Sequence, residues 1–82
     1  MFHVYILKSN KDKKRYIGST NDLERRIHQH NLGQVHSTKH RLPLVLIYKE
    51  EYNNEKDARL RERFLKTHKG YIAVEKLFRA GV

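Results

Sequence analysis

Val4, Tyr5, Ile6 and Leu7 follow one another with no charged residue between them. A strand with one wet face alternates apolar and polar side chains, whereas an unbroken run calls for cover on both faces. The chain must therefore place structure on either side of this strand. With 82 residues there is room for one small layered domain, residues 1–82, and no second. A fold of this size buries a modest core, so its stability margin is expected to be thin. Hydrophobic residues make up 38% of the chain, enough for that core and too many for a wholly disordered one.

The strand Phe2 to Lys8 is followed by a polar turn, Ser9 to Lys13, and a second short strand, Arg15 to Ser19. Two strands joined by a short polar loop form an antiparallel hairpin. Asn21 reads as a helix N-cap, with Asp22 and Glu24 in the first turn, where the helix dipole favours negative charge. Glu24 lies three residues on, as a capping arrangement asks. This helix is expected to reach about Asn31 and stop at Gly33. A histidine-rich loop, Gln34 to Arg41, precedes a third strand that Pro43 opens, Leu44 to Glu51. Asn53 or Asn54 caps a second helix, about Glu55 to Thr67, which Gly70 ends. A last helix, about Tyr71 to Arg79, carries Ile72, Leu77 and Phe78 for docking. The order β-β-α-β-α-α predicts an α+β fold: a three-stranded, mostly antiparallel sheet flanked by helices.

Eighteen Lys and Arg against nine Asp and Glu leave a net charge of +9. Such an excess points to a polyanion, most often nucleic acid. A basic structural or ribosome-associated protein is the plainer alternative. The absence of cysteine excludes disulfides, zinc–cysteine sites and thiol catalysis, and fits the cytoplasm. The longest apolar run, Leu42 to Tyr48, is too short to span a bilayer, and no basic segment precedes an apolar stretch at Met1, so neither a membrane nor a secretory leader is expected.

On the first helix Leu23 and Ile27 form an apolar stripe, and Arg26 and His30 share that face. A charge at the edge of a core is costly unless paired or used. Arg26 could simply pair with a carboxylate, and His30 could be a packing residue. On the second helix Ala58 and Leu65 share a face with Glu62 between them. Glu62 is either half of an ion pair or a ligand for a divalent cation. Tyr5 and Tyr16 read first as strand packing. Gly18 marks a bulge or a close backbone approach. His28 with His30, and His36 with His40, have ligand-like spacings, but nothing completes a closed zinc site.

Together these residues resemble a known pattern. His3-Val4-Tyr5 followed by Tyr16-Ile17-Gly18 is similar to the paired signature of the GIY-YIG nuclease superfamily, its two tyrosines 11 residues apart. Arg26 stands eight residues after Gly18, where the family has an arginine, and His30 stands four further on. Glu62, within Ala58 to Lys66, matches the family's metal-binding glutamate. Gly18 to Arg26 is especially like the small stand-alone bacterial members related to the catalytic domain of the excision-repair incision subunit. The first motif begins with His3 instead of glycine, and no asparagine follows Asn54, where many larger members carry one after the glutamate.

The resemblance implies an endonuclease that hydrolyses DNA with one divalent metal, Mg²⁺ or Mn²⁺, with low sequence specificity and a link to repair or processing. RNA is a further substrate to consider, and a non-catalytic nucleic-acid-binding module of the same fold is the alternative. Glu62 would anchor the metal and Arg26 would neutralise charge on the phosphate. Tyr5 and Tyr16 would place the attacking water, with one of them or His30 as base. Lys39, Arg41 and Lys66 are phosphate-contact candidates. Tyr5, Tyr16, Arg26, His30 and Glu62 should line one open cleft.

Overall fold

The apolar run becomes the centre of the sheet. The structure, a computed structural model, describes residues 1–79. It contains strands β1 (Phe2–Ser9) and β2 (Arg15–Thr20), helix α1 (Leu23–Asn31), strand β3 (Leu44–Tyr52), and helices α2 (Glu55–Leu65) and α3 (His68–Arg79). The strands lie in the order β2-β1-β3, and β1 is antiparallel to both neighbours. This is the expected α+β order. Val4 and Ile6 pack against Ala58, Leu65 and Val74 on the side of α2 and α3. Tyr5 and Leu7 pack with Leu23, Ile27 and Leu44 on the side of α1. All four residues of the run are at most 1% exposed. Burial of side chains this size contributes about 1.5–3 kcal/mol each, which makes β1 the keystone of the core.

A bulge lets β3 serve both faces. Ile6 pairs with Tyr48 but Leu7 pairs with Leu46, leaving Ile47 as an extra residue. Strand side chains alternate, so one extra residue switches the faces beyond it. Leu44 and Leu46 therefore pack toward α1, while Tyr48 and Tyr52 pack toward α2. On that second face Arg61 of α2 grips Glu50 of β3 with two hydrogen bonds of 2.9 and 3.0 Å, fastening helix to sheet.

Three local expectations are corrected. The cap of α1 is Asp22, not Asn21: its carboxylate accepts the Arg25 amide at 3.1 Å. The Thr20 hydroxyl accepts the Asp22 amide at 3.1 Å, so the chain turns one residue later than composition suggests. At the other end of α1, Gly33 has φ +77°, the left-handed conformation that stops a helix. Asn54 caps α2 as expected, accepting the Asp57 amide.

Gly70 does not end α2. That helix closes at Leu65, and the Thr67 hydroxyl accepts the Gly70 amide at 3.1 Å, starting α3 early. Gly70 then sits buried inside α3, where a Cβ would lie 2.6 Å from Leu65 Cα and closer still to the Phe64 carbonyl. This early start also sets the core-facing stripe of α3 as the buried Gly70 and Val74 with the half-buried Phe78, so Ile72 faces outward at 41% exposure instead of docking. Gly70→Ala would push a methyl into backbone that cannot swing aside. We expect a loss of about 3 kcal/mol, read as a lower urea midpoint. An unchanged midpoint would mean that α2 and α3 can part without cost. No helix among the described residues is long and apolar enough to cross a membrane.

Candidate active site

Tyr5 lies at the middle of β1 on the α1 side, directly opposite Gly18 of β2. The missing side chain at Gly18 makes room for its ring. A Cβ there would stand 2.6 Å from the Tyr5 hydroxyl and 3.2 Å from Cε1 of Tyr16. The glycine is a close-approach residue, one of the two readings its sequence position allowed. Tyr16, two residues earlier in β2, presents its ring on the same face, 6.4 Å from that of Tyr5 between centroids. Helix α1 supplies the next two groups one turn apart. His30 is fully buried, with its ring 4.9 Å from that of Tyr16. The Arg26 guanidinium lies beside both tyrosines, and its interaction with the Tyr5 hydroxyl pushes its pKa up.

Both His30 nitrogens are engaged. Nε2 is 3.1 Å from the Tyr5 hydroxyl, and Nδ1 is 2.8 Å from the Thr38 hydroxyl. Thr38, also fully buried, points its own proton at the Val35 carbonyl, 3.5 Å away. Its oxygen is thus free to accept, and the network assigns the ring proton to Nδ1. Nε2 then accepts from the Tyr5 O–H. Burial and the adjacent Arg26 charge push His30 down to about 4, so it is neutral near pH 7. Burial raises Tyr5 above its ordinary value, against the pull of Arg26.

Glu62 approaches from elsewhere. Strand alternation turns Ser19 to the α2 side, and the Ser19 hydroxyl donates to Glu62 Oε1 at 2.6 Å. Lys66 Nζ donates to Oε2 at 2.8 Å. Burial alone would raise the Glu62 pKa, but Lys66 and Ser19 outweigh it and hold the carboxyl below its ordinary range. The expectation that all five residues line one open cleft, with Glu62 on the same side of the sheet as Arg26, is therefore not met. Tyr5, Tyr16, Arg26 and His30 gather on the α1 face, whereas Glu62 lies on the α2 face, held by Ser19 and Lys66. β2 is an edge strand, and its neighbouring residues Gly18 and Ser19 face the two groups in turn, Gly18 opposite Tyr5 and Ser19 bonded to Glu62. The Glu62 charge is felt at Tyr5, where it opposes ionisation.

The expected phosphate contacts are not gathered as a set. Lys66 is at the site through Glu62. Lys39 is exposed on the loop before β3. Arg41 is committed to Asp12 at 2.8 Å and to the Arg15 carbonyl at 3.4 Å, which ties that loop to the hairpin. Thr38 and Ser19 were not singled out from sequence. Alternation in β2 could have flagged Ser19 as facing α2, whereas Thr38 lies in a polar loop with no period to mark it.

The model of the GIY-YIG catalytic domain matches residues 1–73. The chain belongs to the GIY-YIG family. A UPF0213 protein of Clostridium perfringens is 45% identical over 67 residues, spanning 80% of this chain and 71% of the relative. One from Staphylococcus haemolyticus is 42% identical over 66 residues, 79% of each chain. The solution structure of a UPF0213 protein from Bacillus halodurans aligns with a TM-score of 0.58 at 28% identity, covering 94% of this chain and 85% of that one. The GIY-YIG domain is a nuclease fold, which makes nucleic acid the class of substrate.

GIY-YIG nucleases generally use a divalent metal. No cluster of three or more His, Cys, Asp or Glu suited to a metal occurs among the described residues. The donor chemistry at Glu62 nonetheless fits one kind of ion. An ionised lone carboxylate beside a hydroxyl suits a hard cation that keeps most of its waters and shares the substrate phosphate, as Mg²⁺ does. Its present counter-charge, Lys66, is more than half exposed and free to swing away.

The buried imidazole also predicts an acid response. Its folded pKa of about 4 lies below the unfolded value near 6.5, so between these pH values the unfolded chain binds the extra proton. Stability should therefore fall as pH drops from about 6.5 to about 4, by about 3 kcal/mol in all. Glu50, Glu62 and Asp12, held below their ordinary values, add losses only at lower pH, below about 4.5. Urea midpoints measured across this range test it; a flat profile from neutrality to about pH 5 would contradict a buried neutral His30.

Proposed function

We propose that this chain, acting as one domain in the cytoplasm, is a divalent-metal-dependent endonuclease that hydrolyses DNA phosphodiester bonds. The observation that carries the reading is the buried chain Thr38–His30–Tyr5 ending beside Arg26. A tyrosine, a histidine and an arginine so placed are costly for folding alone. They form a buried proton path bordered by the half-buried Tyr16 and Arg26.

In this reading, water attacks phosphorus and gives its proton to the Tyr5 oxygen, while the Tyr5 proton moves to His30 Nε2. Transfer is concerted for an energetic reason. A free tyrosinate formed by so weak a base as His30 would lie strongly uphill, because burial also raises Tyr5 above its ordinary value. A phosphate on Arg26 offsets the charge that depresses His30 and narrows that gap. Thr38 holds the ring so that Nε2 faces Tyr5. Tyr16 packs against His30 and bounds the water position. Arg26 offers its planar donors to the phosphate oxygens as charge builds. The P–O bond to water forms as the bond to the leaving sugar oxygen breaks. Glu62 would hold the metal, which when bound supplies Lewis-acid stabilisation of the phosphate and leaving oxygen.

Contacts of this kind go to the backbone and not to base edges. Low sequence specificity and strong salt dependence follow, which suits a role in repair or processing. The Glu62–Lys66 pair favours one second reading, a nucleic-acid-binding module that keeps the fold without cutting. Nicking of supercoiled plasmid by the purified chain decides between them. Relaxation with Mg²⁺ or Mn²⁺ and none in EDTA supports the enzyme. Intact DNA binding without nicking in either metal supports the module. The same assay on labelled RNA fixes the sugar.

A further inference from the structure

Beside the site, between the β1–β2 hairpin and α3, runs a groove of about 810 Å³. Its floor is apolar, with Ile17, Leu65 and Val74. Its rim carries Lys13 and Lys14 at the hairpin and Lys66 at the end of α2. No ion pair engages Lys13 or Lys14 among the described residues. Lys13 adopts φ +63° at the hairpin turn, and both lysines are exposed. Tyr71 forms the lip at 51% exposure. The Arg15 guanidinium, paired with Glu75, lies 4.7 Å over its ring and braces it from one side. The groove adjoins the Glu62 side of the candidate site, because Lys66 lines it and also grips Glu62.

We propose that this groove seats an unpaired flank of the DNA substrate, with a base stacked on Tyr71 and phosphates on Lys13, Lys14 and Lys66. The proposal deepens the endonuclease reading and rests on it for the direction of the strand. Charge selects the occupant: a cationic rim running on from a phosphate-cleaving edge suits the same polyanion. The apolar floor selects its form. A duplex presents phosphates outward and keeps its bases stacked inside, so it has nothing apolar to lay on Ile17 or Tyr71. An unpaired strand offers base faces and phosphates together, the combination that stacking platforms on charged grooves recognise.

The test is fluorescence anisotropy of the whole chain in EDTA, with a labelled oligothymidylate, a blunt duplex, and the same duplex bearing an unpaired tail. The tailed duplex should bind several-fold more tightly than the blunt one. Tyr71→Ala should weaken oligothymidylate binding about ten-fold. Blunt-duplex affinity should stay within about two-fold, and Tyr71→Phe should restore the stack. Lys13→Ala and Lys14→Ala should each lower the salt slope by about 0.7 on the unpaired strand. Equal binding of blunt and tailed duplexes, or Tyr71→Ala without effect, would overturn the proposal. So would tighter binding to vesicles of anionic lipid than to any of the DNAs. Plasmid nicking is scored separately. Nicking with a silent Tyr71→Ala rejects the groove and keeps the nuclease, while Tyr71-dependent binding without nicking does the reverse.

Discussion

Glu62→Ala should abolish nicking, with a fall of at least about 10³-fold, while the fold survives. Loss of the metal's several kcal/mol of transition-state stabilisation sets that scale. The structural cost is smaller. Glu62 adds nothing to the core; its pair with a mostly exposed lysine is worth about 1 kcal/mol or less, and its hydrogen bond from Ser19 about 1.5–3 kcal/mol. Folding and activity therefore separate cleanly in this variant. Its urea midpoint should fall modestly with the transition still cooperative, and DNA binding in EDTA should persist or tighten as the net charge becomes more positive. Glu62→Asp keeps the charge but shortens the reach from α2, so it should retain only partial activity. Nicking at the parental rate by Glu62→Ala would reduce Glu62 to half of an ordinary ion pair and remove it from the mechanism.

The expectation for Glu62 shows where sequence reading succeeds and where it stops. Its place between Ala58 and Leu65 on one helix face was legible from the helical period, and both neighbours are buried as read. Which sheet face that helix covers was not, because no local pattern encodes it. That assignment depends on strand order, on the bulge at Ile47 and on which residues β1 turns each way. The pairing of Arg26 with His30 was legible for the same reason as Glu62, since four residues is about one turn. The partner that orients His30 was not, because Thr38 lies in a polar loop whose neighbours look like it. The run Val4 to Leu7 was the clearest signal, since continuous apolar residues in a strand have one cheap solution. Gly70 was misread for a physical reason. A glycine near a helix end usually relieves backbone strain, but here it admits one backbone against another, and the two uses share one residue type.

Tyr5→Phe should lower the nicking rate by about 10²–10⁴-fold, the range for loss of a positioned proton-transfer group. The ring would stay on Gly18, so the packing of β1 against β2 is preserved. The buried His30 Nε2 would lose its partner, a cost of about 1–3 kcal/mol in stability that a urea melt reports separately. His30→Gln should slow nicking by a similar factor, because it removes the acceptor at the inner end of the same path. The decisive measurement is the double variant. If the water proton passes through Tyr5 to His30, either change breaks the path and the pair should be little slower than the worse single. Multiplying effects would mean two independent roles, with His30 supporting the fold and Tyr5 acting alone. The pH profile adds a sign to this test. His30 must be neutral to accept, and its value of about 4 in the free chain keeps it so at pH 5–6, where an ordinary histidine would be charged. The acid limb of the rate should therefore lie well below pH 6 in the free enzyme and shift upward once phosphate offsets Arg26. A limb at the ordinary histidine value without bound DNA would mean that the ring titrates in water, which its burial between Tyr5 and Thr38 does not allow.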